Sequence, residues 1–193
     1  VTCQEIYDYR VIGEEQGTSY QARSNTDTAK AFESTPPAPP VIERVSVTQT
    51  GTSDGEISIT WNRSISNDAA TYTLYRSDDG QNYQFLDTIT GTSYTDQDLN
   101  TFNQSYYYRL KAIDSCDNLS DSFSNPHKTI NLQADGTEEA VILTWNNYEG
   151  RKVSQYQILR GTEVLYTVSG EQTFLRDEKV ICDTFYDYKV RAI

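Results

Sequence analysis

The sequence is poor in the residues from which catalytic and metal sites are built: it has one histidine, three cysteines and no methionine among 193 residues. A Ser-His-Asp or Cys-His relay needs a histidine held by a third group in a pocket. The lone His127 lies between two strand patterns, where we expect it to cap a turn or to hydrogen-bond a neighbouring loop. One histidine and three dispersed cysteines also cannot supply the four ligands of a structural zinc site within one domain. We therefore expect no enzymatic activity, no cofactor and no metal site.

Long apolar runs and positive charge are scarce as well. No apolar run approaches the roughly 20 residues that cross a bilayer, and 28 acidic against 16 basic residues give a net charge of -12. A nucleic acid backbone or an anionic membrane surface would repel such a chain. We therefore expect neither nucleic acid binding nor membrane insertion, and the acidic surface favours solubility outside a cell.

Motifs for phosphate, integrin-type or calcium recognition are missing: there is no glycine-rich phosphate loop, no Arg-Gly-Asp triplet and no twelve-residue calcium loop. Two carboxylate pairs, Asp78-Asp79 and Asp96-x-Asp98, have the composition of a general acid and base. Both stand between strand patterns, where aspartates form tight turns with their own backbone. The sequence therefore favours solvated turn residues over a catalytic pair.

A strand-like segment occurs three times, at 6–13, 105–113 and 185–193. In each copy large apolar residues alternate with polar ones, which is the two-residue period of a strand with one buried face. Three copies indicate repeated domains. No helical period is found in the chain.

A second set of residues, a tryptophan followed by a tyrosine, is also repeated. Trp61 and Trp145 are 84 residues apart, and Tyr72 and Tyr156 are also 84 residues apart. Two independent landmarks at one spacing indicate true repeats. Seven short antiparallel strands, with a tryptophan on the second and paired tyrosines on the sixth, predict a two-sheet sandwich.

These landmarks resemble those of fibronectin type III domains. The residues that carry the resemblance are Trp61, Tyr72-x-Leu74-x-Arg76, Tyr94-x-Asp96-x-x-Leu99 and Tyr106-x-Tyr108-x-Leu110-x-Ala112. The resemblance implies an all-β chain of tandem fibronectin type III (immunoglobulin-like) β-sandwiches, the first and last incomplete. Residues 1–35 would be the last strands of one domain, 36–128 a complete domain, and 129–193 a domain without its seventh strand. Because the numbering starts inside a strand motif, we expect a piece of a longer protein.

The segment between the first two domains holds four of the five prolines, within Pro36–Pro40. Proline lacks a ladder donor and favours extended polyproline geometry, so this segment is a domain junction. A flexible linker is the alternative, but four prolines in five positions restrict the backbone and favour a short, semi-rigid one.

A narrower resemblance points to fibronectin-like modules of large Bacteroidota surface proteins. It rests on three segments, 112–120, 127–132 and 143–150. Such modules often precede the gliding-motility-associated C-terminal domain, a type B cargo signal of the type IX secretion system. This chain departs from the family at Asp117, where glycine is usual, and at Arg151, where an aromatic residue is frequent.

This resemblance implies non-catalytic structural or spacer modules of a secreted or cell-surface protein, with a role in adhesion or gliding motility. The partners it implies are neighbouring domains of the same chain and cell-surface proteins, secretion-system proteins or glycans. The alternative is accessory modules of a secreted enzyme that degrades polysaccharide or protein.

The resemblance also assigns structural roles to five aromatic residues. Trp61 and Trp145 are expected to be buried between the two sheets of their own domains. Tyr7, Tyr106 and Tyr186 stand where the family has its tyrosine corner, whose hydroxyl ties back to the preceding loop.

The cysteines predict one bond between domains. Cys3 and Cys182 each stand four residues before a corner tyrosine, Phe102 has that place in the second domain, and Cys116 follows the sixth strand. No domain holds two cysteines. In a sandwich, the loop before the sixth strand lies at the pole where the chain leaves, and the loop after it at the pole where the chain enters. In a head-to-tail rod these poles meet, which predicts a Cys3–Cys116 disulfide and an unpaired Cys182; the alternative is three free or buried thiols.

Overall fold

The computed structural model describes residues 3, 5–30 and 32–193, and the described residues form strands, turns and loops without a helix. The strands are β1 (Ile6–Tyr9), β2 (Ile12–Glu14), β3 (Gln21–Arg23), β4 (Asp27–Lys30), β5 (Val41–Gln49), β6 (Gly55–Asn62), β7 (Ala69–Ser77), β8 (Gln84–Ile89), β9 (Ser93–Leu99), β10 (Tyr107–Asp114), β11 (His127–Lys128), β12 (Leu132–Gly136), β13 (Val141–Trp145), β14 (Gln155–Arg160), β15 (Glu163–Ser169), β16 (Phe174–Asp177) and β17 (Tyr188–Ala192). None of these elements is a helix that could span a membrane.

The first unit, 5–30, is a long antiparallel hairpin. β1 pairs with β4 and β2 pairs with β3, in continuous antiparallel order. Only Tyr7 in these strands is partly buried. Within the described part of the chain no other strand pairs with the hairpin, so it has little core of its own.

The second unit is a sandwich of a three-stranded sheet, β5-β6-β9, and a four-stranded sheet, β11-β10-β7-β8. Its strands alternate because one face of each sheet is buried: Ile57, Ile59 and Trp61 of β6 point inward. Leu74 of β7 and Leu110 of β10 are fully buried on the facing sheet. Burial of this apolar area is the main source of the unit's stability.

The third unit repeats this arrangement with sheets β12-β13-β16 and β15-β14-β17. Its core contains Leu143, Trp145, Tyr156 and Ile158, all buried. Among the described residues β17 pairs with β14 alone, whereas the corresponding β10 pairs with both β7 and β11. The expected all-β fold of tandem two-sheet sandwiches is therefore confirmed.

The seventh strand of the second unit is short. β11 has only two residues, and Leu132 begins the next sheet. Pro126 has no N–H to donate. Before it, the Ser124 hydroxyl accepts from the Leu110 N–H at 2.9 Å, and the Ser124 N–H donates to the Leu110 carbonyl at 2.8 Å. A side chain thus replaces part of the ladder.

Both tryptophans are buried, with 2% of Trp61 and 5% of Trp145 exposed. Each ring meets a buried tyrosine edge-on, Tyr72 or Tyr156, with 5.8 Å between centroids. Each indole Nε1 lacks a hydrogen-bond partner, so these rings stabilise the core through apolar area and ring contacts rather than through a polar tie.

The corner tyrosines tie back as expected in two of three cases. Tyr106 accepts the Asn100 N–H at 3.2 Å, and Tyr186 accepts the Ile181 N–H at 3.0 Å. The Tyr7 hydroxyl donates to Glu5 at 3.0 Å, and the backbone groups that would correspond in the first unit, at positions 1 and 2, lie outside the described residues.

Truncation of Trp61 tests the core of the second unit. We expect Trp61→Ala to lower the free energy of unfolding of that unit by about 3–5 kcal/mol, because it removes a buried ring and leaves a cavity. Urea unfolding followed by circular dichroism measures the change. The control is Ile65→Ala, since Ile65 is 89% exposed and its loss should matter by less than about 0.5 kcal/mol. Equal effects of the two variants would contradict the assignment.

Candidate functional site at the domain junctions

The loop 146–151 of the third unit is held by a tyrosine of the strand that follows it. Tyr156, fully buried, accepts the Tyr148 N–H with its hydroxyl at 2.9 Å. The second unit has the same device 84 residues earlier, where the Tyr72 hydroxyl accepts the Ser64 N–H at 3.0 Å. The repeat therefore fixes the direction in which this loop leaves the sandwich.

Tyr148 on this loop inserts into the second unit. Its hydroxyl accepts the Val45 N–H at 3.2 Å and lies 2.8 Å from His127 Nδ1. Either group can donate in this second bond, according to the tautomer of the imidazole. The two rings meet edge-on with centroids 5.6 Å apart. One tyrosine thus joins the first and last strands of one sandwich to a loop of the next.

His127 is buried in this contact, with 3% of its surface exposed. Burial, followed by the nearby Arg151 charge, lowers the pKa of His127 to about 4. Gly150 lies directly against the ring with φ +115, and a Cβ at that position would overlap the imidazole. The close approach of backbone to ring therefore needs glycine here. The expectation that His127 hydrogen-bonds a neighbouring loop agrees with this geometry.

Charged groups surround the buried contact. Lys128 Nζ lies 3.3 Å from Glu149 Oε1, which also accepts the Tyr107 hydroxyl at 3.3 Å. The Lys128 N–H donates to the Glu149 carbonyl at 3.1 Å, so the two units share a β-bridge. Exposed ion pairs contribute little energy, but the backbone bond fixes the register of the loop against β11.

Amide side chains at the start of the third unit bind the loop before β10. Asn131 Nδ2 donates to the carbonyls of Thr101 and Phe102 at 3.1 Å each. Gln133 Nε2 donates to the Phe102 carbonyl at 3.0 Å. Three hydrogen bonds therefore add a second point of attachment between the same two units.

The junction between the first and second units is covalent. Cys3 and Cys116 form a disulfide with Cα atoms 5.5 Å apart, which is the pairing expected from the strand directions. The Cys116 loop is held by Asp114, whose Oδ1 accepts the N–H groups of Cys116 and Asn118 at 2.8 Å each. Asn118 Nδ2 also donates to the Glu33 carbonyl at 2.9 Å. Cys182 is free and exposed.

The proline segment at this junction is packed against the second unit. Pro37 and Pro40 are buried. Between them Ala38 is bound in both directions: its N–H donates to Ser66 Oγ at 2.9 Å, and its carbonyl accepts from Ser64 Oγ at 2.6 Å. These contacts favour the semi-rigid interpretation of the linker over the flexible one.

The expectation of solvated turn residues is correct for Asp79 and wrong for Asp96. Asp79 is a turn residue: it accepts the N–H groups of Gln81 and Asn82 at 2.8 and 2.7 Å. Asp96 instead lies within β9, is 5% exposed and pairs with Arg76 at 2.9 Å. A buried carboxylate needs such a partner.

The third unit repeats this buried ion pair, which the sequence reading missed. Asp177 is fully buried, accepts from Arg160 at 3.1 Å and accepts the Tyr188 hydroxyl at 2.7 Å. In the second unit the Tyr108 hydroxyl donates to Asp96 at 2.8 Å. The repeated Tyr-x-Leu-x-Arg and Tyr-x-Ile-x-Arg motifs on β7 and β14 were the available signal, since each ends in the arginine that demands a carboxylate.

One further group of carboxylates lies at the first junction. Oxygens of Glu33, Asp68 and Asp114 lie within 4.8 Å of one another. Both Asp114 oxygens already accept hydrogen bonds from its own loop, and these bonds outweigh burial, so the pKa of Asp114 is lowered. This arrangement supports the Cys116 loop.

Comparison with known proteins gives neighbours of similar architecture. No family model matches the chain, and no curated protein sequence matches it. The FN1–FN3 domains of chicken CNTN1 match with 16% identity and a TM-score of 0.37, over 100% of this chain and 71% of that one. An Fn3-like protein from Clostridium thermocellum matches with 25% identity and a TM-score of 0.38, over 54% and 99%. At these TM-scores the function has to be inferred from the chain's own residues.

The burial of His127 predicts an acid-sensitive contact. In the unfolded chain the pKa of a histidine is about 6.5, while burial lowers the pKa of folded His127 to about 4. As pH falls the unfolded state therefore binds the proton first. The stability linked to His127 is complete above about pH 6.5 and is lost as pH falls toward 4.

The variant His127→Gln isolates this titration, since the chain has one histidine and the glutamine amide can donate to or accept from the Tyr148 hydroxyl. Between pH 6.5 and 4 the fall in unfolding free energy should be smaller in the variant by about 1.4 kcal/mol per pH unit. Urea unfolding at stepped pH measures it. The control, Asn125→Gln, changes an exposed neighbour and should keep the wild-type slope; equal slopes in all three proteins would contradict the prediction.

The cysteines predict a simple labelling pattern. Native protein treated with iodoacetamide should gain one carbamidomethyl group, on Cys182, because that thiol is free and exposed while the other two are bonded. After reduction and unfolding it should gain three. Peptide mass spectrometry locates the groups, and labelling of Cys3 or Cys116 without reductant would contradict the assignment.

Proposed function

We propose that these residues are non-catalytic spacer modules that hold neighbouring domains of a large secreted or cell-surface protein at fixed relative positions. The observation that carries this proposal is the construction of the junctions. One is a disulfide between Cys3 and Cys116, and the other is the Tyr148 hydroxyl placed between Val45 and His127. A chain of independent domains would not need either device, because inter-domain motion is the default for small polar interfaces.

The disulfide also supports a location outside the cell, since such bonds persist in oxidising compartments. The net charge of -12 supports solubility there. The resemblance to Bacteroidota modules extends the proposal to export by the type IX secretion system and to a role in gliding motility or adhesion. Its partners would be neighbouring domains of the same chain, together with cell-surface proteins, secretion-system proteins or glycans.

The alternative function is an accessory role in a secreted enzyme that degrades polysaccharide or protein. The two proposals differ in what flanks these residues in the full gene. A glycosidase or protease domain would favour the alternative, whereas further sandwich repeats and a cargo domain would favour the spacer.

Distance measurements test stiffness at the second junction. Spin labels introduced as non-natural amino acids at the exposed positions Ile65 and Glu163 report the separation of the second and third units. We expect a narrow distance distribution in the wild type. Tyr148→Ala should broaden it, because it removes both hydrogen bonds and the ring contact, while Tyr9→Ala, at an exposed tyrosine of the first unit, should not. A broad wild-type distribution would contradict the spacer function.

The first junction is tested with labels at the exposed positions Gln16 and Ile65. Reduction of the disulfide should broaden this distribution and leave that between Ile65 and Glu163 unchanged. If reduction changes neither, the disulfide does not set the position of the first unit and the proposal fails at this junction.

A further inference from the structure

An open groove of about 680 Å³ runs along the second unit beside β5. Its lining includes Pro40–Arg44, Asn62 of the neighbouring strand and Asn125 from the segment before β11. Gly150 and Arg151, from the loop of the third unit, also line it. The groove therefore exists in this form only when the two units are docked.

Two guanidinium groups, those of Arg44 and Arg151, line this groove without an ion-pair partner. Arg151 lies over the ring of Tyr148, with 6.0 Å between its Cζ and the ring centroid. In the described part of the chain no carboxylate lies within ion-pair distance of Arg44 or Arg151, although the other ion pairs include Arg76, Arg160 and Arg176. Glu43 also lines the groove but pairs with neither. Acidic residues outnumber basic ones in this chain, 28 to 16. Two arginines without ion pairs at one site are therefore unexpected.

The charges of these arginines act on the two side chains that join the units, His127 and Tyr148. The Arg151 charge adds to burial in lowering the pKa of His127. Burial raises the pKa of Tyr148, and the Arg151 and Arg44 charges act in the opposite direction. The lining contains two arginines and one glutamate, Glu43, so its net charge is positive in spite of the net charge of -12 on the chain.

The groove is poorly suited to an added peptide strand. Strand addition needs a row of free backbone groups on a regular edge. The register of β5 against β6 shifts between Ile42 and Arg44, and such bulges disrupt pairing along an edge. The next N–H, of Val45, is already bound by Tyr148. Recognition in the groove must therefore come from side chains.

The side chains present match a carboxylate carried on a hydroxyl-rich ligand. Arginine presents a planar fork of donors that binds a carboxylate through two hydrogen bonds. The amides of Asn62 and Asn125 each offer donors and an acceptor, which suits hydroxyl groups. Acidic sugars combine these two kinds of group along one extended, hydrophilic chain.

We propose that this groove binds an acidic oligosaccharide, with a uronate carboxylate between Arg44 and Arg151 and ring hydroxyls at Asn62 and Asn125. Repulsion by distant carboxylates does not prevent this, since exposed charges are largely screened beyond about 8 Å at physiological ionic strength. The site is independent of the spacer function, because stiff junctions do not require a ligand.

The test uses tetragalacturonate as the probe, with its methyl ester as a matched neutral saccharide and tetraglutamate as a matched acidic peptide. Isothermal titration at physiological and at high salt measures binding to the wild type, to R44Q/R151Q, and to R176Q/R191Q. The last pair lies in the third unit outside the groove lining and removes the same charge. Thermal midpoints of all three proteins show whether each remains folded.

We expect tetragalacturonate to bind the wild type and the control equally, more weakly at high salt, and at least tenfold more weakly to R44Q/R151Q. The methyl ester should bind the wild type at least tenfold more weakly than tetragalacturonate does. If the double variant is unfolded, R151K serves instead, because it keeps the charge but loses the fork, and a several-fold loss is expected. Absence of binding to the wild type, equal binding to both double variants, equal binding of the ester, or preference for tetraglutamate would each overturn the proposal.

Discussion

The structure depends on tyrosine hydroxyls that accept backbone N–H groups. Tyr156, inside the third sandwich, binds the N–H of Tyr148, and the Tyr148 hydroxyl in turn binds the N–H of Val45 in the second. A buried N–H without a partner costs free energy comparable to a lost hydrogen bond. Each hydroxyl therefore satisfies a backbone group that the sheets leave unpaired. Two such steps connect the core of one sandwich to the edge of the other.

The same bond is used inside each sandwich, where Tyr72, Tyr106 and Tyr186 hold loops against the strands that follow. Tyrosine suits this role because it fills apolar space with its ring and reaches a polar group with its end. The 15 tyrosines are thus largely explained by architecture. Where the same device extends beyond one sandwich, at Tyr148, it becomes a joint between domains.

The sequence was sufficient to predict the sandwiches, because strand alternation and the 84-residue spacing depend on local pattern alone. It also predicted the Cys3–Cys116 pairing, since strand direction limits which loops can meet. It did not predict that Asp96 is buried or that Tyr148 inserts between Val45 and His127. Both depend on contacts between strands or domains distant in sequence, and a loop tyrosine has the same local pattern whether it faces solvent or a neighbour. The groove depends on docking of two units and has no local signature.

The two junctions of the second unit are held by different chemistry. The first contains a sulfur–sulfur bond, which a reductant is expected to break. The second contains the buried imidazole of His127, whose pKa is lowered by burial to about 4, so we expect acid to weaken it. Weakening one leaves the other in place, because Cys116 and His127 lie on separate contacts. Neither reduction alone nor acid alone would therefore release both junctions.

The disulfide has a further consequence when the chain is pulled from its two ends. Tension that enters before Cys3 passes through the sulfur bridge to Cys116, so the 113 residues of sequence separation carry no load. Fully extended, that length would add at most about 3.3–3.6 Å per residue. While the bond is intact, most of the second sandwich is mechanically bypassed and cannot be unravelled by the pull. With the disulfide intact, this stretch is a short link that does not lengthen under tension. After reduction, the same stretch can unfold and extend.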